Sequence, residues 1–238
     1  MSIGAVKSVG AIADNLRRVE ERMAQAAQRS GRPPETLTLI LASKTVPAER
    51  LREAVEAGGR HVGENYVQEA RAKRAALADL PAQWHMIGHL QRNKAKDAIG
   101  LFDVIQSLDN LRLAQELSRR AQQAERVVRA LVEVNIGLED TKFGVLPQDL
   151  LFLLEEVCRL PNLVVEGLMT LGPLVSEPEQ ARPAFVTLRQ LGERVSQASL
   201  PNVVMRHLSM GMSSDFEVAI EEGATMVRVG TAIFGPRK

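Results

Sequence analysis

A lysine at the carboxyl end of an apolar, β-branched strand can do carbonyl chemistry. Lys44 stands there, directly after the run LTLILAS (37–43). Apolar surroundings disfavour an ammonium, lower the pKa of the amine and make it a nucleophile towards an aldehyde, with a Schiff base as the product. The same position suits an ordinary solvated lysine, and position alone does not separate the two. Near the other end of the chain, HLSMGMSSDFE (207–217) and RVGTAIFG (228–235) set Gly211 and Gly230 among the hydroxyls of Ser209, Ser213, Ser214 and Thr231. Glycine lets backbone N–H groups approach an anion, and a helix start offers unpaired donors. A phosphate at these turns, with Lys44 facing it, describes a phosphorylated aldehyde held by an imine. Each turn taken alone is also what an N-cap or a plain turn looks like. Arg228 lies inside an apolar strand, where arginine seldom sits without a partner. That partner is either a carboxylate such as Glu166 or a ring nitrogen of a cofactor.

These residues need a scaffold that brings distant segments to one face. Ile12, Leu16, Val19, Met23 and Ala27 fall at helical spacing, and Arg17, Arg18, Glu20, Glu21 and Arg22 fill the other face. This is a helix ahead of the first strand, ended by Gly31, Pro33 and Pro34. Strand-like runs then follow at 37–43, 60–64, 84–88, 102–108, 128–136, 163–171, 203–210 and 226–234, with amphipathic helical stretches between them. Strict β/α alternation implies a parallel sheet with crossover helices, and eight strands suggest a closed (β/α)8 TIM barrel. An open dinucleotide-binding sheet should carry a glycine-rich turn after its first strand, where this chain reads ASKTVPAER. The expected strand ends carry Lys44, Glu64 and Asn65, Ile87 and His89, Ser107, Asn135, Met169, His207 to Gly211, and Arg228 to Thr231 on one rim.

The 238 residues show no Pro/Gly/Ser-rich linker, so a single domain over 1–238 is expected. One cysteine, Cys158 at helical spacing in LLFLLEEVCRL, excludes an internal disulfide framework and reads as a buried structural thiol. A formal charge of +1 gives no global attraction to nucleic acid, and 3% aromatic residues give no base-stacking platform. QRNKAKD (91–97) reads as a solvated helix face rather than a nucleic-acid patch. His85 and His89 lack the accompanying ligands of a metal site, so no metal is expected. No window has the length and apolarity of a signal peptide or membrane span, which leaves a cytoplasmic location as the default.

ASKTV (42–46), VGENYVQE (62–69), WHMIGHLQRNK (84–94), VNIGLEDTKFG (134–144), GLMTLGP (167–173), HLSMGMSSDFEVAIEEGAT (207–225) and VRVGTAIFG (227–235) stand in this order along the chain. Together they make the chain resemble the pyridoxal-phosphate homeostasis proteins, barrels related to the N-terminal domain of alanine racemase. The resemblance runs from about residue 8 to residue 236. It implies that Lys44 forms the internal aldimine with pyridoxal 5′-phosphate, and that Ser209, Gly230 and Thr231 contact the phosphate with Met210 beside them. It further implies that Arg228 faces the pyridine nitrogen and that Asn65 and Ile87 line the ring pocket.

Several positions depart from the racemase pattern. Racemases bring a tyrosine to the opposite face of the ring from a second, β-rich domain of the partner subunit. No such domain is expected from the sequence as it runs to Lys238, and its one tyrosine, Tyr66, reads as structural. Asn135 stands where racemases carry a basic residue, and Lys142 where they carry an arginine. An arginine opposite the ring nitrogen accepts no proton and weakens the electron sink. The resemblance therefore implies a pyridoxal-phosphate-binding protein, holding the cofactor as an internal aldimine without substantial turnover, that serves intracellular homeostasis of pyridoxal phosphate (vitamin B6) and of amino-acid pools. PLP-dependent apoenzymes are candidate recipients, and a monomer or weak dimer is expected. A minimal amino-acid racemase and a cofactor-free Schiff-base aldolase are the competing readings.

Overall fold

A computed structural model describes residues 9–137, 143–173 and 175–236. Eight parallel strands close into a barrel: β1 (Thr38–Ala42), β2 (His61–Glu64), β3 (Gln83–Met86), β4 (Val104–Leu108), β5 (Val128–Glu133), β6 (Leu163–Met169), β7 (Val203–Ser209) and β8 (Met226–Val229). The helices are α1 (Val9–Arg29), α2 (Ala48–Glu56), α3 (Val67–Ala76), α4 (Ala95–Leu101), α5 (Leu111–Gln123), α6 (Leu150–Val157), α7 (Arg182–Gln197), α8 (Phe216–Glu221) and α9 (Thr231–Phe234). The alternation expected from the sequence is thus the alternation observed.

Closure happens at β1, where Ile40 pairs with His61 of β2 on one side and with Arg228 of β8 on the other. The first and last strands therefore share one seam. Because crossover helices cover a parallel sheet, both strand faces are removed from water. Leu41, Val62, Trp84, Ile105, Val132, Val165 and Val227 point outward into the shell shared with the helices. Ile40, Val104, Leu131, Met169 and Met226 form a separate apolar plug inside the barrel.

The leading helix α1 is held by the face its periodicity marks. Ile12, Leu16, Val19, Met23 and Ala27 are all buried. Each large side chain so removed from water contributes roughly 1.5–3 kcal/mol. Arg22 pairs with Glu217 of α8 at 2.9 Å and lies over the Phe216 ring, while Asn15 Nδ2 donates to the carbonyl of Ile233 in α9. Gly31, at φ +68°, turns the chain out of the helix. Cys158 is buried in the α6 end, its thiol on the carbonyl of Glu155.

One boundary differs from the sequence reading, and a second is narrowed. The apolar run 226–234 is not one strand, since β8 stops at Val229 and residues after Gly230 form α9. Ile233 and Phe234 are apolar because that short helix buries them, and a short apolar run does not tell strand from buried helix. Of Ser213, Ser214 and Asp215, which mark a helix start in the sequence, Asp215 is the one directly before the helix: α8 begins at Phe216, and Asp215 Oδ1 accepts from the Met212 N–H at 2.6 Å. Ser213 and Ser214 consequently stand in an open loop.

A lysine and an arginine on one cavity

At the carboxyl ends of β1, β2, β3, β6, β7 and β8 lies a cavity of about 780 Å³. Lys44, Asn65, Ile87, Arg228, Gly230 and Thr231 line it, as do Ser213 and Ser214. Six of the eight residues expected at the site are therefore brought together. Ser209 and Met210 are fully buried and stand outside this lining. The Ser209 hydroxyl is engaged below the cavity floor, accepting from Arg228 Nη1 at 2.6 Å and donating to Gln106 Oε1 at 2.7 Å.

Lys44 leaves β1 in a turn that is braced from behind. Ser43 and Thr45 flank it, and Thr45 sits at φ +64°, a conformation rare for a β-branched residue. What holds it is a second lysine. Lys73 of α3, buried, donates to the Ser43 carbonyl at 2.6 Å, to Glu64 Oε1 at 2.6 Å and to Glu69 Oε2 at 3.3 Å. Ser43 Oγ donates to the same Glu64 oxygen at 2.5 Å, and Glu69 Oε2 accepts from the Thr45 N–H at 3.0 Å. Burial pushes the Glu64 carboxyl up, and Lys73 and Ser43 oppose that shift. The motif VGENYVQE thus supplies two carboxylates to the back of the Lys44 turn. Sequence reasoning missed Glu69 and Lys73, which read only as the polar face of a helix.

Arg228 is buried on β8, and its second hydrogen bond goes from Nη2 to the Thr170 carbonyl at 2.7 Å. Glu166, the carboxylate considered as its partner, is engaged elsewhere, with Arg129 at 2.7 Å and Arg206 at 3.4 Å. Both described hydrogen bonds of Arg228 reach neutral oxygens. Desolvation lowers its pKa to about 10, partly offset by the charges of Glu133 and Asp215, so the guanidinium is cationic at neutral pH. Glu133 is itself buried, and desolvation together with Asp109 raises its carboxyl to about 7.

Gly230 is required by close approach: a Cβ there would lie 2.9 Å from the Ala42 carbonyl oxygen, across the β1–β8 seam. Gly211, at φ +91°, meets α8 just as tightly. These glycines bring the loops after β7 and β8 together. The N–H groups of Gly230 and Ala232 converge on Ser213 Oγ at 3.2 and 3.3 Å. Two backbone donors already focused on one oxygen, beside the Ser214 and Thr231 hydroxyls, form a cradle suited to a phosphate oxygen. Arg50 also lines the cavity and donates to the Phe234 carbonyl. The cavity therefore offers an amine at one end, hydroxyl and amide donors at another, and a buried cation between strands.

The remaining rim residues do other work. His89 stacks on Phe143 with ring centroids 3.6 Å apart and approaches Asp109 at 3.3 Å without hydrogen-bond geometry. His85 points into the barrel, away from His89. Tyr66 is exposed and outside the cavity lining, and Asn135 is buried at the end of β5. Lys142 lies outside the described residues. Among the described residues, no cluster of three metal-ligating side chains occurs and no helix is long and apolar enough to cross a membrane.

A closed (β/α)8 barrel with a lysine after its first strand and hydroxyl-bearing loops after its last two defines a narrow class. Residues 8–238 match the family described as alanine racemase, N-terminal domain. A pyridoxal phosphate homeostasis protein of Aquifex aeolicus is 49% identical over 225 residues, which cover 94% of this chain and 98% of that one. Its counterpart in Pseudomonas aeruginosa is 44% identical over 226 residues, covering 95% and 96%. Among solved structures, PipY of Synechococcus elongatus with PLP bound aligns with a TM-score of 0.80 at 41% identity, over 91% of this chain and 100% of that one. An alanine racemase of Clostridium difficile aligns with a TM-score of 0.72 over 94% of this chain and 57% of that one, and at 15% identity what it shares is the fold. The chain belongs to the alanine racemase N-terminal-domain family, among the pyridoxal phosphate homeostasis proteins.

Proposed function

We propose that this chain binds pyridoxal 5′-phosphate in the cavity of about 780 Å³, with Lys44 as its covalent anchor, and that it serves cofactor homeostasis rather than sustained turnover. The observation that carries the reading is the meeting of Lys44, Arg228 and the Ser213–Gly230 cradle on one cavity, in a chain whose relatives bear that name. Ser213, Ser214, Gly230 and Thr231 would hold the phosphate. Asn65 and Ile87 would flank the ring, and Arg228 would face its nitrogen. When bound, the cofactor supplies an aldehyde for the lysine and a ring that withdraws electrons. Arg228 donates but does not accept, so it leaves the ring nitrogen unprotonated and that withdrawal weak.

The lining also speaks to turnover. Racemisation needs an acid or base on each face of the reacting carbon. Among the described lining residues, Lys44 is the one side chain suited to that role near neutral pH. This favours a holding protein over a minimal racemase. The protein is proposed to work in the cytoplasm as one domain over 1–238, as a monomer or weak dimer, with PLP-dependent apoenzymes as candidate recipients.

The test is an absorbance spectrum of purified protein with added cofactor, then borohydride reduction and peptide mapping. The expected outcome is a visible band and a phosphopyridoxyl adduct on Lys44, both lost in Lys44→Ala. No band and no adduct with excess cofactor would overturn the reading. Turnover of an amino acid at enzyme-like rates would overturn the homeostasis part alone.

A further inference from the structure

Five side chains thread the barrel interior from one cavity to another. Arg228 Nη1 donates to Ser209 Oγ at 2.6 Å, and Ser209 Oγ donates to Gln106 Oε1 at 2.7 Å. Gln106 Nε2 lies 3.0 Å from His85 Nδ1, and His85 Nε2 lies 3.1 Å from His61 Nδ1. The first four residues are buried. His61 is half-buried and lines a second cavity of about 320 Å³, at the amino ends of β1 and β2 and against Glu20 and Met23 of α1.

The chain has one direction, and its chemistry says why. A guanidinium has donors and no acceptor. Ser209 must therefore accept from Arg228 and spend its own proton on Gln106 Oε1. That turns the amide NH₂ towards His85, whose Nδ1 must accept. The His85 proton then sits on Nε2 and points at His61 Nδ1, which must accept in turn. One donor-only group thus sets an amide orientation and two histidine tautomers. The reverse order would leave the Ser209 proton without an acceptor among these groups.

We infer that Gln106 and Ser209 are positioning residues of the cavity: they hold the Arg228 guanidinium and, through His85, couple it to His61 at the opposite end of the barrel. The inference rests on the pyridoxal-phosphate reading for what Arg228 faces, while the coupling itself is a property of the protein alone. Its consequence concerns protons. A proton on His61 Nδ1 meets the His85 Nε2–H, so two donors face each other and protonation is opposed unless the whole chain turns over. The charged and titratable groups around the histidines are Arg129 of β5, Glu166 of β6, His207 and Arg206 of β7, Glu20 of α1 and Arg60 before β2. The net effect on the histidines is in the same sense: burial and the neighbouring cations lower His85 to about 3, and burial lowers His61 and His207.

The experiment uses the full-length chain, ¹⁵N-labelled at histidine and without added cofactor, with tautomers read from long-range proton–nitrogen couplings. In the wild type His85 and His61 are expected as Nε2–H tautomers. Gln106→Leu removes the imposed direction, so His85 becomes a tautomer mixture and the His61 midpoint rises by about one pH unit, a tenfold change in proton affinity. Gln106→Glu offers a carboxylate to both neighbours and is expected to place a proton on His85 Nδ1. Ser209→Ala makes the same cut with a smaller change of volume and serves where the leucine variant does not fold. Unchanged tautomers and an unchanged His61 midpoint in the folded cut variants would overturn the inference. With cofactor added, the cut variants are expected to shift the wild-type visible band at matched pH. A band absent from every protein, wild type included, refutes the cofactor reading and leaves the tautomer result standing.

Discussion

Lys73 Nζ lies 2.6 Å from the carbonyl oxygen of Ser43, the residue before Lys44. One lysine holds the turn that presents the other. The buried member is surrounded by oxygen acceptors from β1, β2 and its own helix, so its charge is satisfied without reaching the cavity. The two therefore have separate tasks although both are lysines within one small region.

Lys73→Met is expected to destabilise the protein by roughly 3–5 kcal/mol, because it strands the buried Glu64 carboxylate. Glu64→Gln with Lys73→Met should recover much of that loss. Urea unfolding of the single and double variants measures it. A single variant as stable as the wild type would show that the pair does not hold the turn.

Glu133 gives a pH prediction with a definite sign. Its carboxyl is raised to about 7 in the folded protein, above its ordinary 4.5. The folded state therefore binds the proton more tightly than the unfolded chain. Stability from this group is fully present below pH 4.5 and is lost as pH rises to about 7. Glu133→Gln removes that dependence, so its stability relative to the wild type should grow across the window, by up to about 3 kcal/mol at 1.36 kcal/mol per unit. Denaturant midpoints at intervals between pH 4.5 and 7.5 decide it, and parallel curves for the two proteins would count against a raised Glu133.

Gly230→Ala sets a methyl group 2.9 Å from the Ala42 carbonyl oxygen. The turn after β8 must move away from β1. A cost of about 1–3 kcal/mol is expected for such overpacking. Because the same turn carries the N–H groups that converge on Ser213, weaker binding of added pyridoxal phosphate should accompany it. Equilibrium titration of the visible band reads that second effect, and unaltered affinity would place the phosphate elsewhere.

Leu16→Ala tests whether α1 is part of the fold rather than an appendage. The side chain is fully buried, and truncation of a core leucine costs about 2–5 kcal/mol. Leu16 itself is not among the residues lining the cavity, so the visible band of the loaded protein should keep its position. A loss under 1 kcal/mol would mean that α1 packs far more loosely than its burial indicates.

The barrel itself was legible because alternation is a property of the chain's own periodicity. The strands near 37–43, 60–64 and 163–171 could be placed before any contact was known. Lys44, Asn65, Ile87, Arg228, Gly230 and Thr231 were legible for a related reason, since strand ends in a barrel share a rim. What stayed hidden depended on direction and distance. Ser209, Ser213 and Ser214 are close in sequence, yet Ser209 points below the cavity floor while the other two line it. Ser209 still belongs to β7, whereas Ser213 and Ser214 lie in the loop beyond it, where strand alternation no longer says which way a side chain points. The Lys73 brace and the Gln106–His85 link join residues whose only relation is spatial, and no periodicity records them.

The seam at β1 has a consequence for when this protein becomes competent. Lys44 comes from one side of that seam, and Arg228, Gly230 and Thr231 from the other, near opposite ends of the chain. A nascent chain lacking its last strand has the lysine but not the cradle. Loop closure across nearly the whole sequence is a slow, entropically costly event, and a ligand that needs both sides favours the closed form by mass action. On the proposed site, capture of the ligand would therefore report that the ring of strands has been completed, with free cofactor drawn down by finished molecules and not by partly made ones.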